Sequence, residues 1–269
     1  MEGKNKKVVA GWDKVLLARN PKRFRSSDMI HILFDSFLEL HGDRCHGDDK
    51  SVVSGIAFFD NIPVTVISQQ KGKDMYDMEY RRYGMSMPEG YRKSLRLMKQ
   101  AEKFNRPIIC FIDTPGAFPG VLAEERGQAV AIANNLYEMF KLHVPIVSII
   151  LGEGGSGGAL ALEIANKVIM LENSVFSVVS PEGCASILWK DTKMVSKAAD
   201  YLKLTAEDLY SYGMIDYLIS EEGSVVQIAE RIREVLRYIL KEYMEYSKEK
   251  LINDRQLKYR NFDRLYLNK

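Results

Sequence analysis

The sequence lacks the long apolar runs of membrane proteins and has little cysteine, histidine or tryptophan. Its 269 residues include 3 cysteines, 4 histidines and 2 tryptophans. No stretch approaches the ~18 consecutive apolar residues that a membrane-spanning helix needs, so no membrane segment is predicted. The basic N-terminus has no apolar core of the kind that signal peptides carry. We therefore expect a cytoplasmic protein.

An excess of charge of one sign is also missing. Lys and Arg number 38 and Asp and Glu 36, and the resulting net charge of +2 does not imply general nucleic-acid binding. The cysteines Cys45, Cys110 and Cys184 lie far apart, and the sequence has no Cys-x-x-Cys pair. This spacing supports neither a zinc ribbon nor a disulfide framework. We expect this chain to bind no metal.

Buried strands that run into glycine turns indicate an α/β fold. The apolar runs "PIICFID" (107–113) and "VPIVSIIL" (144–151) each end in a glycine-rich turn, and a helical pattern follows. Two further strands within 51–69 are predicted to form a hairpin that turns at Asp60 and Asn61. Folds of this class place their chemistry in the loops at the carboxyl ends of the strands.

The remaining segments are predicted to be a loop and two helical ends. Residues 70–87 are polar and unpatterned, which favours a loop. A long amphipathic helix is predicted over 224–249, followed by a solvated or docked terminal arm. Apolar residues recur at helical spacing near the N-terminus, at Ile30, Leu33, Phe34, Phe37 and Leu38. We expect one domain over 1–269 with three parts, namely a helical arm (1–46), a core (47–220) and C-terminal helices (221–269).

The stretch "GEGGSGG", residues 152–158, places five glycines in seven residues directly after a strand. Three kinds of site fit this pattern. Gly152, Gly154 and Gly157 match the GxGxxG dinucleotide fingerprint, with Glu172 about 20 residues further on as the ribose partner. Ser156 lies in a GxSxG pattern that is typical of a nucleophile elbow. The third is a strand-to-helix turn whose backbone N–H groups form an oxyanion hole.

Chain order and helix length separate these three hypotheses. The histidines His31, His41, His46 and His143 all precede Ser156, whereas α/β-hydrolases place their histidine after the serine. The helix that follows the glycines is barely two turns long, and no lysine follows them as a phosphate P-loop requires. An oxyanion hole needs no side-chain nucleophile. We favour it, with nicotinamide dinucleotide binding as the alternative.

Two other groups of residues carry potential chemistry but have plainer explanations. The stretch "HGDRCHGDD" (41–49) gathers His, Cys and Asp side chains, but their spacing matches no established tetrahedral zinc pattern. We favour a turn before a strand. Cys184 lies just inside a predicted helix start, where a thiolate would be activated. We favour a small buried residue there.

Six stretches carry a resemblance to a known family. They are "HGDRCHGDDKSVVSGIA", "QKGK", "YGMSMPEGYRKSLRLM", "FIDTPGAFPGVLAEERGQ", "GEGGSGGALAL" and "SPEGCASILWKD". On these stretches the chain resembles the carboxyltransferase alpha subunit of bacterial-type, multi-subunit acetyl-CoA carboxylase. The resemblance covers most of residues 15–265, and the order and spacing of the last three stretches make it highly specific.

The resemblance implies a crotonase (ClpP-like) spiral of ββα units with helical N- and C-terminal extensions. It implies transfer of a carboxyl group from carboxybiotin, held on a biotin carboxyl carrier protein, to acetyl-CoA. The product would be malonyl-CoA, in the first committed step of fatty acid synthesis. The implied partners are a zinc-bearing beta subunit in an alpha2beta2 arrangement, the carrier protein and biotin carboxylase. A non-catalytic paralogue that only scaffolds such a complex remains an alternative.

The resemblance also assigns residues to the site. The backbone N–H groups of Gly157 and Gly158 are expected to form the oxyanion hole that faces biotin. The residues expected to line the same cavity are Gly116, Ala117, Phe118, Gly154 and Gly155. The side chains expected to meet CoA phosphates, unless they are simply solvated, are Lys71, Lys73, Arg81 and Arg82.

Overall fold

Eight strands form one mixed sheet in residues 10–262, the part of the chain that the computed structural model describes. The strands are β1 (Asp35–Glu39), β2 (Val52–Phe59), β3 (Ile62–Gln69), β4 (Ile108–Thr114), β5 (Ile146–Gly155), β6 (Lys167–Leu171), β7 (Val175–Ser177) and β8 (Tyr217–Ile219). Their order in the sheet is β1-β2-β3-β4-β5-β6-β8, and β7 pairs with β5. The pairs from β3 onward are parallel, which requires a crossover between each pair of neighbours.

Helices supply these crossovers and extend the chain at both ends. The helices are α1 (Gly11–Ala18), α2 (Ser26–Leu33), α3 (Met75–Tyr80), α4 (Pro88–Lys103), α5 (Val121–Glu125), α6 (Gln128–Met139), α7 (Ser156–Glu163), α8 (Pro181–Trp189), α9 (Val195–Leu202), α10 (Ala206–Ser211), α11 (Val225–Tyr243) and α12 (Lys248–Arg260). Within the described part of the chain, no helix is both long and apolar enough to cross a membrane.

The predicted hairpin is confirmed. Strands β2 and β3 pair antiparallel from Val52↔Gln69 to Phe59↔Ile62. The two residues of the turn, Asp60 and Asn61, have φ of 47° and 65°. A two-residue type I′ turn requires positive φ at both positions, and Asn and Asp adopt it more readily than other residues with side chains.

The prediction that residues 1–46 are mostly helical is wrong for 35–39, which form strand β1. Helix α2 ends at Leu33, and Phe34 is already extended, with φ −124° and ψ 147°. The guanidinium of Arg233 donates to the carbonyl of Ile32 (2.6 Å) and that of Leu33 (3.2 Å). Strand β1 then pairs with the edge of β2. These contacts are distant in sequence, so the local spacing of apolar residues did not reveal them.

The prediction that residues 70–87 form a loop is also wrong in part. This segment contains α3 and a short 3-10 turn, Arg82–Gly84. The carboxylate of Asp74 caps α3 by accepting the N–H of Asp77 (2.9 Å). Gly72, at φ 96°, packs so closely on α3 that a Cβ there would lie 2.5 Å from the nitrogen of Met78. The cap of Asp74 and the close contact of Gly72 stabilise this helix, although it has no apolar stripe.

The core lies on both faces of the sheet, because alternate side chains of a strand point to opposite faces. On one face, Ile109 and Phe111 of β4 pack in a cluster with residues of α2 and α11. On the other face, Ile108, Cys110 and Ile112 pack with residues of α4, α6 and α7. Both faces of β4 and β5 are therefore covered, which explains their continuous apolar sequences.

The long helix predicted over 224–249 is two helices, α11 and α12. Ser247 separates them, because its hydroxyl accepts the N–H of Lys250 (3.2 Å) and caps a new helix. The amphipathic character predicted for this segment is confirmed in α11, since Ile228, Ile232 and Ile239 are each at most 4% exposed. The division of the chain into three parts at residues 46 and 220 stays a prediction.

Helix α12 docks on the core, so this part of the predicted terminal arm is docked rather than solvated. Its Arg255 is completely buried. The guanidinium donates to the carbonyls of Met139, Leu142 and Val144 and to the side chain of Asn166, at 2.5–2.9 Å. The last part of the predicted arm, after residue 262, lies outside the described residues.

Candidate active site

The structure brings the two glycine-rich turns together. Strands β4 and β5 are parallel neighbours that pair up to Thr114↔Gly154, so the turns at their carboxyl ends lie side by side. A Cβ on Gly155 would lie 2.1 Å from the carbonyl oxygen of Pro115. A Cβ on Gly158 would lie 2.3 Å from the nitrogen of Ala117. Only glycine at positions 155 and 158 leaves room for these two contacts, so the expected lining residues of both turns share one surface.

The first turn is held by polar contacts that the sequence did not reveal. The hydroxyl of Thr114 accepts the N–H of Gly116 (3.1 Å) and donates to its carbonyl (2.8 Å). The N–H of Phe118 donates to the carbonyl of Ser86 (3.0 Å). The side-chain amide of Gln128 then donates to the carbonyls of Ser86 (2.8 Å) and Phe118 (3.0 Å). These bonds join the turn to the segment before α4.

The second turn leaves two backbone N–H groups without a hydrogen-bond acceptor in the described part of the chain. Gly157 and Gly158 lie in the first turn of α7, where N–H groups have no acceptor within the helix. No other acceptor for them is found among residues 10–262. Around a Cβ on Gly157 the nearest atom would be the Cγ2 of Ile132, at 3.8 Å. These donors sit at the positive end of the α7 dipole and suit a developing negative charge.

Two buried side chains are hydrogen-bonded to the backbone of this turn. The amide of Gln69 and the phenol of Tyr91 both donate to the carbonyl of Gly158, at 2.8 Å and 3.3 Å. Both side chains are completely buried. Burial, with the carboxylate of Asp49 nearby, raises the pKa of Tyr91 well above its ordinary value, so the phenol stays protonated. The geometry of α7 at Gly158 is thus set by β3 and α4.

Close packing accounts for the glycines that resemble a dinucleotide fingerprint. A Cβ on Gly152 would lie 2.4 Å from a carboxylate oxygen of Asp113, and one on Gly154 would lie 2.5 Å from the ring of Phe176. These two glycines make room for neighbouring side chains. Helix α7 is only 8 residues long, as predicted. The contacts therefore explain the pattern without a pyrophosphate.

Ser156 has the backbone of an elbow but not the partner of a nucleophile. Its φ is 51°, unusual for a residue with a side chain, and it is the exposed first residue of α7. A ring nitrogen of His41 is hydrogen-bonded to the carboxylate of Asp48, and one of His143 to the carboxylate of Glu102. No described histidine bonds to Ser156. This fits the interpretation of Ser156 as a small residue of a tight turn.

The four basic side chains expected at CoA phosphates occupy different environments. Lys71 is only 7% exposed, and its ammonium contacts the carboxylates of Glu153 and Asp113. It is not the exposed loop charge that a phosphate ligand requires. Each of the other three also contacts a carboxylate but is partly or largely exposed; the pairs are Lys73–Asp28 (2.7 Å), Arg81–Asp77 (2.7 Å) and Arg82–Asp49 (3.3 Å).

The stretch 41–49 forms a turn, as favoured. The carboxylate of Asp43 accepts the N–H groups of Cys45, His46 and Gly47 at 2.8–2.9 Å, and Arg92 also donates to it (2.8 Å). Across residues 10–262, no group of three or more His, Cys, Asp or Glu side chains is placed to hold a metal ion. Cys184 is 6% exposed and packs beside alanines, which confirms the small buried residue.

Comparison with known proteins assigns the chain to a family. The family model described as acetyl co-enzyme A carboxylase carboxyltransferase-like matches residues 3–263. The chain belongs to this family. The acetyl-coenzyme A carboxylase carboxyl transferase subunit alpha of Listeria monocytogenes serovar 1/2a is 54% identical over 257 residues, which cover 94% of this chain and 81% of the relative. The subunit alpha of Geobacillus sp. strain WCH70 is 55% identical over 254 residues, covering 93% and 78%.

Solved structures show the same fold at low identity. A transcarboxylase 12S structure with methylmalonyl-coenzyme A and methylmalonic acid bound has a TM-score of 0.70 at 20% identity, covering 90% of this chain and 46% of that chain. A Pseudomonas malonate decarboxylase hetero-tetramer in complex with coenzyme A has a TM-score of 0.65 at 18% identity, covering 83% and 93%. The α/β, crotonase-like fold predicted for this carboxyltransferase-like chain is confirmed.

Proposed function

We propose that the chain is the alpha subunit of the carboxyltransferase component of acetyl-CoA carboxylase. It transfers the carboxyl group of carboxybiotin to acetyl-CoA and so forms malonyl-CoA for fatty acid synthesis. The observation that carries this proposal is the 54% identity, over 94% of the chain, to a relative of that name. The paired glycine turns support it, because they offer backbone donors and no side-chain nucleophile.

Negative charge develops at two oxygens in this reaction. The ureido oxygen of biotin gains charge as the carboxyl group leaves, and the thioester oxygen of acetyl-CoA gains charge as its methyl group loses a proton. In our proposal the open N–H groups of Gly157 and Gly158 face the biotin oxygen, and biotin acts as the base. One such donor stabilises the transition state by roughly 3 kcal/mol. Gly116, Ala117, Phe118, Gly154 and Gly155 would line the cavity.

The name subunit alpha, which the relatives carry, supports a partner subunit, and we propose three partners. A beta subunit that carries the zinc would complete the active site in an alpha2beta2 assembly, and the biotin carboxyl carrier protein and biotin carboxylase would supply carboxybiotin. Lys73, Arg81 and Arg82 remain proposed ligands of CoA phosphates, because they lie at least partly exposed in one segment. Lys71 is not among them. A cytoplasmic location stays a prediction.

The test is malonyl-CoA-dependent carboxylation of biocytin, the reverse reaction. The chain alone is compared with the chain co-expressed with a beta subunit of the family. Gly157→Pro in that pair removes one N–H donor in the first turn of α7, at a position where a Cβ meets no atom closer than 3.8 Å. Gly157→Ala is the matched control, since it adds a Cβ and keeps the donor.

We expect activity only in the pair, a loss of 10²- to 10³-fold in Gly157→Pro, and a much smaller loss in Gly157→Ala. Gel filtration must show that both variants assemble. Equal activity of the two variants would place the oxyanion hole elsewhere. An assembled but inactive wild-type pair would favour a scaffold, and NAD(H) binding by the isolated chain would favour the oxidoreductase alternative.

A further inference from the structure

A cluster of charged side chains, three of them buried, includes Glu153 at the start of the second glycine turn. The ammonium of Lys71, two residues after β3, contacts the carboxylate of Asp113 in β4 (3.1 Å) and that of Glu153 in β5. These three residues are 7%, 2% and 7% exposed. The guanidinium of Arg19, just after α1, donates to Glu153 (2.6 Å) and to Glu182 at the start of α8 (2.5 Å).

The buried part of this cluster holds one cation, Lys71, and two anions, Asp113 and Glu153. Arg19, whose side chain is 32% exposed, supplies the second positive charge, while Glu182 is 41% exposed. Burial opposes the ionisation of Glu153, but the charges of Lys71 and Arg19 outweigh it and lower the pKa of that carboxyl below its ordinary value. Loss of one cation would therefore leave an uncompensated charge away from water, which is strongly unfavourable.

The cluster is bonded to the backbone that leads into the turn. Asp113 accepts the N–H of Glu153 (3.0 Å), and Glu153 is followed directly by Gly154 and Gly155. This bond requires glycine at 152, where a Cβ would lie 2.4 Å from Asp113. Gly84 packs against Lys71, and a Cβ on Gly84 would lie 2.8 Å from the Cγ of Lys71. The ammonium thus joins the ends of three strands immediately before the open N–H groups of α7.

We infer that Lys71 is a positioning residue of the carboxyltransferase site, which sets the direction of the Gly157 and Gly158 N–H groups by tying together the ends of β3, β4 and β5. This inference rests on the proposed function. It gives Lys71 a role that differs from that of a CoA ligand. A ligand of CoA acts on substrate affinity, whereas a misdirected oxyanion hole acts on the chemical step, and an error of 1 Å costs about 10²-fold in rate.

The test is Lys71→Met in the alpha–beta pair, assayed by carboxylation of biocytin with malonyl-CoA. We expect kcat to fall about 10- to 100-fold while KM for malonyl-CoA changes less than about two-fold. The double variant Lys71→Met/Glu153→Gln removes one cation and one anion, so at neutral pH it should recover the part of kcat that the uncompensated charge costs. Lys99→Met, which removes an exposed pair with Glu138 (3.2 Å), is the matched control and should keep wild-type kcat.

The pH profile separates positioning from packing. In Lys71→Met the carboxylate of Glu153 keeps only Arg19 of the two cations that lower its pKa, so kcat should fall further as pH rises and Glu153 ionises. A defect in packing alone would show no such trend. If Lys71→Met does not assemble with the beta subunit, Glu153→Gln keeps the side-chain shape and should lower kcat with KM unchanged.

Three outcomes would overturn the inference. A raised KM with wild-type kcat would make Lys71 a CoA ligand. A loss of kcat that is independent of pH and not recovered in the double variant would make it a packing residue. Wild-type kcat in both Lys71→Met and Glu153→Gln would mean that the cluster does not act on the site. An inactive wild-type pair would instead reject the proposed function itself.

Discussion

The phenol of Tyr259 donates to the carboxyl group of Glu163 across 3.2 Å and so links the last described helix, α12, to the end of α7. The N–H of Ala165 donates to the same phenol oxygen (2.9 Å). Glu163 is 3% exposed, although it closes the helix whose first turn carries the candidate oxyanion hole. A carboxyl group buried in this way is sensitive to pH.

Stability is expected to fall between mild acid and neutral pH because of Glu163. Burial raises its pKa from an ordinary 4.5 to about 7. The folded state therefore holds a proton that the unfolded state has lost, so this contribution is complete below pH 4.5 and disappears as pH rises through 7. The difference corresponds to about 3 kcal/mol. Melting temperatures at pH 5.5 and pH 8 would measure it.

Glu163→Gln should flatten that dependence, since a neutral amide keeps the shape without the charge. Glu138→Gln removes a carboxylate on another helix and should keep the pH dependence of the wild type. Melting temperatures that rise with pH in the wild type, or that fall equally in Glu163→Gln, would contradict the prediction.

The contact between the two glycine turns should tolerate no methyl group at residue 158. A Cβ there would lie 2.3 Å from the nitrogen of Ala117 and 2.6 Å from the carbonyl carbon of Gly116. Backbone atoms cannot move aside easily, so Gly158→Ala is expected to lower the free energy of unfolding by about 1–3 kcal/mol. Urea denaturation measures the change.

Gly157→Ala provides the matched comparison for stability. Its Cβ would meet nothing closer than 3.8 Å, and alanine favours the helix by up to about 1 kcal/mol over glycine. We expect unfolding at equal or higher urea than the wild type. An equal loss in both variants would refute the close approach of the turns.

Arg255 is expected to be essential for docking of α12. Arg255→Met would leave the carbonyls of Met139, Leu142 and Val144 buried without donors. Each such group costs about 1–3 kcal/mol, so a loss of at least about 3 kcal/mol is expected in urea denaturation. Arg237→Met, which removes an exposed bond to Asp60 (2.7 Å), should unfold at nearly the wild-type concentration. Similar midpoints for the two variants would show that α12 docks without the guanidinium.

Asp43 should make the turn at 41–49 sensitive to substitution. Asp43→Ala leaves the N–H groups of Cys45, His46 and Gly47 without their acceptor, and a loss of about 2–3 kcal/mol is expected. Asp191→Ala removes a single exposed acceptor, that of the N–H of Lys193 (2.9 Å), and should have little effect. Urea denaturation of both variants measures the two losses of stability. Retained stability in Asp43→Ala would contradict the prediction.

Burial of Asp43 opposes ionisation, but the N–H donors of Cys45 and Gly47 and the guanidinium of Arg92 outweigh it and lower the pKa to about 2. Its contribution to stability is therefore present above its ordinary pKa of 3.8 and is lost as pH falls toward 2. Acid unfolding of Asp43→Ala should lack this component, which a titration of the melting temperature below pH 5 would detect.

The sequence by itself determined the features that depend on near neighbours. Apolar runs predict the buried strands, and Asp60 and Asn61 predict the hairpin, because these signals arise from backbone preferences and burial within a few residues. The glycine stretch 152–158 and the motifs around it indicated the family. The sequence did not reveal which role each glycine of this stretch has, since Gly152, Gly154 and Gly158 each make room for a residue from another segment.

Only the tertiary structure decided what depends on distant partners. Strand β1 exists because the edge of β2 is available to pair with it, although its apolar residues are spaced as in a helix. Lys71 looks like a solvated loop charge in the sequence, but it is buried because Asp113 and Glu153 compensate its charge. Such contacts join residues about 16 to 80 positions apart, so their energy is unknown until the fold brings the partners together.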